Sequence, residues 1–350
     1  MNGSSLGNSS ARCVRDTSVT SLIFPCLYSI LFLAALLLNS LACWVFFQIP
    51  SSSTFVVYLK NVLVADLLMT LTLPVKVLAD SGLGPWQLKL FHCRYSAVLF
   101  YTCMYISIVL LGLISLDRYL KIVHPFGRCV LQRVGCGRLL SAALWLLMVP
   151  LALPNAVLSD RPAAPALSLK CSALKGPAGL RWHEGFNYFC QVLFWGTLVL
   201  MVVCYSFISH RVYESYVSSR SRSGAAAHRT KARVFVVVLV FFVSFAPFHF
   251  TRVPYTLSQT RGAHTCAAQH RLYVAKATTL WLSATNICLD PLIYIFLCGM
   301  FRRKLLGALR CRSVPLGPLE SATETSTQMQ TKRPTELSLQ RERSPTPENL

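Results

Sequence analysis

Acidic side chains are scarce in this chain. Only 13 Asp and Glu occur among 350 residues, and charged residues of both signs make up 13%. Soluble domains carry about 25%, so a water-soluble fold of this size would lack the charge to cover its surface. Disorder is excluded from the other side, because hydrophobic residues reach 54% and mean hydropathy is +0.50. Residues 1–20 contain no apolar core, so no cleavable signal peptide is expected. No internal repeat is present, and no helix carries a stripe of ionisable residues, which argues against a transporter or channel. No nucleophile–base pair or metal-ligand set falls on one side, so no enzyme is expected. What remains is apolar sequence, and it predicts an all-α membrane protein.

A spanning helix needs about 20 mostly apolar residues. Seven stretches qualify, near residues 22–49, 55–79, 95–116, 139–158, 185–209, from 234 through Pro247, and 272–300. Residues 301–309 read as a short amphipathic eighth helix on the membrane surface. The expected organisation is therefore an N-terminal tail (1–20), a seven-transmembrane domain (21–310) and a disordered polar tail (311–350).

The net charge of +21 often marks nucleic-acid binding, but the apolar content points to a membrane partner and no nucleic acid. Residues 118–138 hold five Lys or Arg and no acid, 210–233 hold six with Glu214, and 302–312 add five. The positive-inside rule places these blocks in the cytoplasm, at the plasma membrane, and the N-terminus outside. Asn2 and Asn8 then become credible glycosylation acceptors. Thirteen Lys or Arg against four Asp or Glu fall in the outer segments. That excess is either a plain solvated surface or a basic mouth for an anionic ligand. Of 14 cysteines, Cys13, Cys93, Cys171 and Cys266 fall outside, and four cysteines allow three pairings.

Ionisable residues within a span cost several kcal/mol and need a reason. Asp66 lies mid-span, Asp117 at the inner end of the third span and Asp290 deep in the seventh. With Asn39, Ser107 and Asn286 they would line a hydrated pocket, either a water-bridged network or a sodium site with Asp66 as the anionic ligand. Pro247 and Pro291 each break a helix ladder and predict a bend.

These residues resemble the rhodopsin-like (class A) G-protein-coupled receptors over about 20–310. The match rests on Asn39, Leu63-Val-Ala-Asp66, Asp117-Arg118-Tyr119, Trp145, Phe245-Ala-Pro247 and Asp290-Pro291-Leu-Ile-Tyr294. The resemblance implies a Cys93–Cys171 bridge and a Cys13–Cys266 bridge. It also implies that Arg118, freed from Asp117, receives the G protein while Pro247, Asp290, Pro291 and Tyr294 take part in activation. Ser51–Phe55, Tyr58-Leu-Lys-Asn61, Phe248-His249-Phe250 with Arg252, Pro254–Gln259 and the Lys276 segment are similar to the purinergic nucleotide receptors, nearest the Gi-coupled ADP receptors.

The side chains suit such a ligand on their own chemistry. His249, Arg252 and Tyr255 recur every three residues, while His183, Asn187 and Gln191 recur every four. Arg grips phosphate bidentately, Lys adds a point charge, and aromatic rings stack on a purine. By resemblance Arg252, Lys276 and Lys175 hold phosphates, and Tyr101, His183 and Asn187 contact base and ribose. The plainer reading is that Arg252 and Lys276 snorkel to the headgroups. A UDP-sugar or a lysophospholipid is the alternative ligand.

Several positions depart from the family. Ala277 stands where Glu usually follows the lysine, and Lys276 lies about 12 Å too far out for a retinal Schiff base. Residues 227–233 contain no acid to pair with Arg118, which predicts appreciable basal activity. Eleven Ser or Thr follow from Ser313, suited to phosphorylation and arrestin binding. Cys311 is a palmitoylation candidate or an idle cysteine.

Overall fold

The computed structural model describes residues 18–124, 129–159, 171–218, 224–260 and 265–308, with backbone alone at 18–19, 215–218 and 224–236. The chain divides into two units, 1–305 and 306–350; of the second, residues 306–308 are described and are helical. Seven helical segments of the first are long and apolar enough to cross a membrane. This is the expected seven-helix bundle. The expectations for Asn2, Asn8, Cys13, Cys311 and the tail from 311 lie outside the described residues.

The first two spans are single helices, α1 (Ser18–Phe47) and α2 (Thr54–Ser81). Ser53 caps α2 by accepting from the Val56 N–H at 3.4 Å, and Gly82 stops it at φ 73°, a left-handed conformation that glycine adopts without a Cβ clash. The third span joins α3 (Trp86–Phe91) to α4 (Ala97–Val123) through one wide turn, His92–Ser96. It is longer than its apolar run because polar residues at both ends stay helical.

The fourth span is α5 (Val134–Ala152) with a short α6 (Pro154–Val157). It is tied to α2 by Trp145 Nε1 donating to Asn61 Oδ1 at 3.1 Å. The fifth is α7 (Pro177–Ser218), opening on a proline whose missing N–H is not needed in a first turn. The sixth is α8 (Gly224–Thr260), with Pro247 and also Pro254 inside it.

The seventh span is interrupted: α9 (Cys266–Ala284) ends, Thr285 intervenes, and α10 (Asn286–Leu297) resumes. Pro291 has no N–H to offer the Ile287 carbonyl, one turn earlier. The Asn39 amide supplies that bond instead, donating to Ile287 O at 3.0 Å across the bundle. A helix α11 (Gly299–Ala308) follows, with Phe301 and Leu305 buried and Arg303 and Lys304 exposed. That pattern matches the expected amphipathic eighth helix.

Candidate ligand-binding site

One end of the bundle bears the Cys93–Cys171 disulfide, with Cα atoms 5.2 Å apart. Cys266 is also disulfide-bonded. Beside the first bridge opens a cavity of about 310 Å³, within the range of small-molecule sites. Its lining carries five cations, Lys76, Lys89, Lys175, Arg252 and Lys276, against one carboxylate, Asp80.

Tyr101 lies beside two of these cations. Its ring lies 4.4 Å from the Arg252 guanidinium carbon and 5.9 Å from Lys276 Nζ, and it stacks on Phe248 at 6.2 Å. Lys276 also lies 5.6 Å from the Tyr255 ring. Arg252 is 6% exposed, which excludes a side chain snorkelling to headgroups.

At one edge of the cavity, Lys175 Nζ donates to the Asn155 carbonyl at 2.8 Å, and His183 Nδ1 lies 3.2 Å from Asn155 Oδ1. The Asn155 amide nitrogen has no partner among the described residues. Burial pushes the Lys175 ammonium down to about 8. At another edge Lys76 pairs with Asp80 at 2.7 Å and lies 4.7 Å over the Tyr28 ring.

Tyr101, Lys175, His183, Arg252, Tyr255 and Lys276 therefore line one cavity, and Ala277 lies on its wall. Asn187 and His249 do not line it. Asn187 is buried between α7 and α8, where it accepts from Arg252 and donates to Thr256 Oγ1 at 3.2 Å. His249 stacks face to face on Phe194 at 3.7 Å, with Nδ1 2.8 Å from Phe245 O. Asn155, Lys76, Asp80 and Tyr28 were not among the expected site residues. The i,i+4 spacing of Lys76 and Asp80 was a usable signal.

Deeper lies a second polar group. Tyr294 O–H donates to Asp66 Oδ2 at 3.1 Å, and Asn286 donates to Asp290 Oδ2 at 2.8 Å. Asn39 Oδ1, Asp66 Oδ1, Ser107 Oγ, Asn286 Oδ1 and Asp290 Oδ1 are buried without a partner among the described residues.

At the far end the expected Asp117–Arg118 pairing is absent. Asp117 Oδ2 pairs with Lys121 at 2.9 Å, one helical turn on, while the Arg118 guanidinium sits over the Phe55 ring. Successive helix residues point about 100° apart, so Asp117 reaches Lys121 more readily than its own neighbour. Tyr119 O–H lies 3.3 Å from His124 Nε2.

Seven apolar spans around a cationic, aromatic-floored cavity, with a second polar group buried mid-bundle, define a heptahelical membrane receptor. The family described as 7 transmembrane receptor (rhodopsin family) matches residues 38–294. The chain is 53% identical over 298 residues to purinoceptor 13 of Homo sapiens, spanning 85% of this chain and 84% of that one. It is 43% identical over 309 residues to purinoceptor 14 of Bos taurus, spanning 88% and 92%. It is 42% identical over 306 residues to G-protein coupled receptor 87 of Mus musculus, spanning 86% and 84%. The chain belongs to the rhodopsin family of seven-transmembrane receptors, within its purinoceptor branch. It is a multi-pass membrane receptor and not an enzyme.

Proposed function

We propose that this receptor binds an extracellular nucleoside diphosphate, ADP first, and signals through an inhibitory Gi-type G protein. The observation that carries the reading is the cavity itself: Arg252 and Lys276 flank Tyr101, and Lys175 adds a third cation to the same lining. A planar base stacks on an aromatic ring while two phosphates take the guanidinium and ammonium groups. The disulfide end then faces outside, with Asn2 and Asn8 available for glycosylation, and the tail from 311 recruits arrestin once phosphorylated.

Ligand drawn to Arg252 and Lys276 pulls the ends of α8 and α9 together. Pivoting near Pro247 opens the opposite end of α8 for the G protein. Only the difference in ligand affinity between the two states drives this step. The unpartnered carboxylate oxygens of Asp66 and Asp290, with those of Asn39, Ser107 and Asn286 elsewhere in the buried set, suit a hard, oxygen-seeking cation, and a sodium ion at Asp66 would hold the resting state.

A second reading has its own observation. Asp80 brings a carboxylate into the cavity, where it repels phosphate and accepts from hydroxyls, so a UDP-sugar would place its sugar there. The deciding experiment measures Gi activation by ADP, UDP-glucose and a lysophosphatidic lipid, with wild type and Arg252→Ala side by side. An ADP response lost in the mutant supports the reading. Silence to ADP at normal surface expression sinks it and leaves the receptor family intact.

A further inference from the structure

The Arg118 guanidinium carbon lies 3.5 Å from the centre of the Phe55 ring. Its Nε is buried and meets no acceptor among the described residues. No carboxylate makes an ion pair with Arg118 among the described residues, although Oδ1 of the adjacent Asp117 is buried without a partner. Asp117 pairs with Lys121, and Glu214 pairs with Arg211 at 3.1 Å and with His210 at 3.6 Å. Residues 227–233, which lead into the span of α8, read Ala-His-Arg-Thr-Lys-Ala-Arg and supply no acid.

The ring is held firmly. Phe55 is 3% exposed at the second position of α2. Its neighbour Thr54 is buried and donates through Oγ1 to Gln132 O at 2.9 Å. Gly137 of α5 packs on that same threonine so closely that a Cβ there would come within 2.5 Å of its methyl group. The first turn of α2 is thus tied to the segment between α4 and α5, and the ring cannot follow Arg118 if the arginine leaves.

We propose that Phe55 is the positioning residue that keeps Arg118 from the G protein in the resting receptor, in place of the acid that α8 lacks. The proposal rests on the receptor reading above. A guanidinium over an aromatic face is attracted by the ring quadrupole. Leaving one partner of a buried ion pair uncompensated is costlier. The aromatic latch is therefore weak enough for ligand to release and strong enough to lower basal signalling.

The test uses full-length receptor in lipid nanodiscs with purified heterotrimeric Gi. Phe55→Leu keeps the apolar bulk and removes the ring; ligand-free nucleotide exchange should rise about five-fold, the equivalent of about 1 kcal/mol. Phe55→Tyr restores the ring and should return exchange to the wild-type level, a rescue that a merely structural role would not produce. Independently, 15N-arginine NMR should show the Arg118 Nε–H resonance displaced by the ring current. That displacement should be lost in Phe55→Leu, with Arg118→Lys giving the assignment. Absence of the displaced resonance in the wild type overturns the contact. A displaced resonance with unchanged basal exchange in Phe55→Leu overturns its role. A wild type that drives no exchange with any nucleotide overturns the receptor reading first, and this proposal with it.

Discussion

Asn187 Oδ1 accepts from both Nε and Nη2 of Arg252, at 3.1 and 2.7 Å. The same amide donates to Thr256 Oγ1, whose hydroxyl donates in turn to the Arg252 carbonyl at 2.9 Å. Asn187 is therefore a clamp that aims the guanidinium at Tyr101, and it does not line the cavity.

Loss of that clamp should weaken nucleotide binding without removing the charge. Asn187→Ala is expected to lower affinity about ten-fold, or about 1.4 kcal/mol. Added to Arg252→Ala it should change little more, because both act through one interaction. Competition binding on the two single variants and the double variant checks this. Additive losses would mean that Asn187 touches the ligand itself.

Lys175 sets a pH dependence. Its folded pKa of about 8 lies below the usual lysine value because burial disfavours the charge. A bound phosphate raises that pKa, so binding takes up a proton only above about pH 8. The Lys175 contribution to affinity should be flat from pH 6 to 7 and fall as pH rises through 8, by at most about ten-fold per pH unit. Lys175→Arg keeps its charge and should make the fall shallower than in the wild type in binding curves taken from pH 6 to 9.

A sodium ion at Asp66 predicts a salt effect specific to sodium. Agonist affinity in wild type should drop several-fold when potassium is replaced by sodium at constant ionic strength. In Asp66→Asn the difference should vanish, since the anionic ligand for the cation is gone. An equal response of both receptors to the two salts rules out the site.

Asp80→Asn separates the two candidate ligands. It releases Lys76 from its 2.7 Å partner and deletes the carboxylate from the cavity lining. Nucleoside diphosphate affinity should rise about three-fold, in line with one more available cation. Affinity for a UDP-sugar should fall instead if its hydroxyls use the carboxylate. Saturation binding with both nucleotides gives the answer in one pair of measurements.

The seven spans were legible because burial in lipid leaves a compositional mark that no packing detail can hide. The interruption at Thr285 was not, since a proline marks a missing bond without saying where its neighbours will compensate. Six of the eight expected ligand residues meet in one cavity. Asn187 and His249 fall elsewhere because helical spacing tells which residues share a face, not whether that face meets a cavity or another helix. Asn155 carried no periodic signal at all. Its place depends on how α6 folds back beside Lys175 and His183. The Asp117–Lys121 pair was readable from its spacing and was overshadowed by the adjacent Arg118.

Three of the cavity's cations are already engaged before any ligand arrives: Lys76 with Asp80, Lys175 with the Asn155 carbonyl, and Arg252 with Asn187. At each of these three a chloride or a lone inorganic phosphate, abundant in any body fluid, must displace a partner for one new contact and gains little by the exchange. A molecule with two linked phosphates and a ring displaces several at once while losing its freedom of movement only once. These three side chains thereby favour the larger ligand over background anions, and that selectivity is built from the same groups as the response.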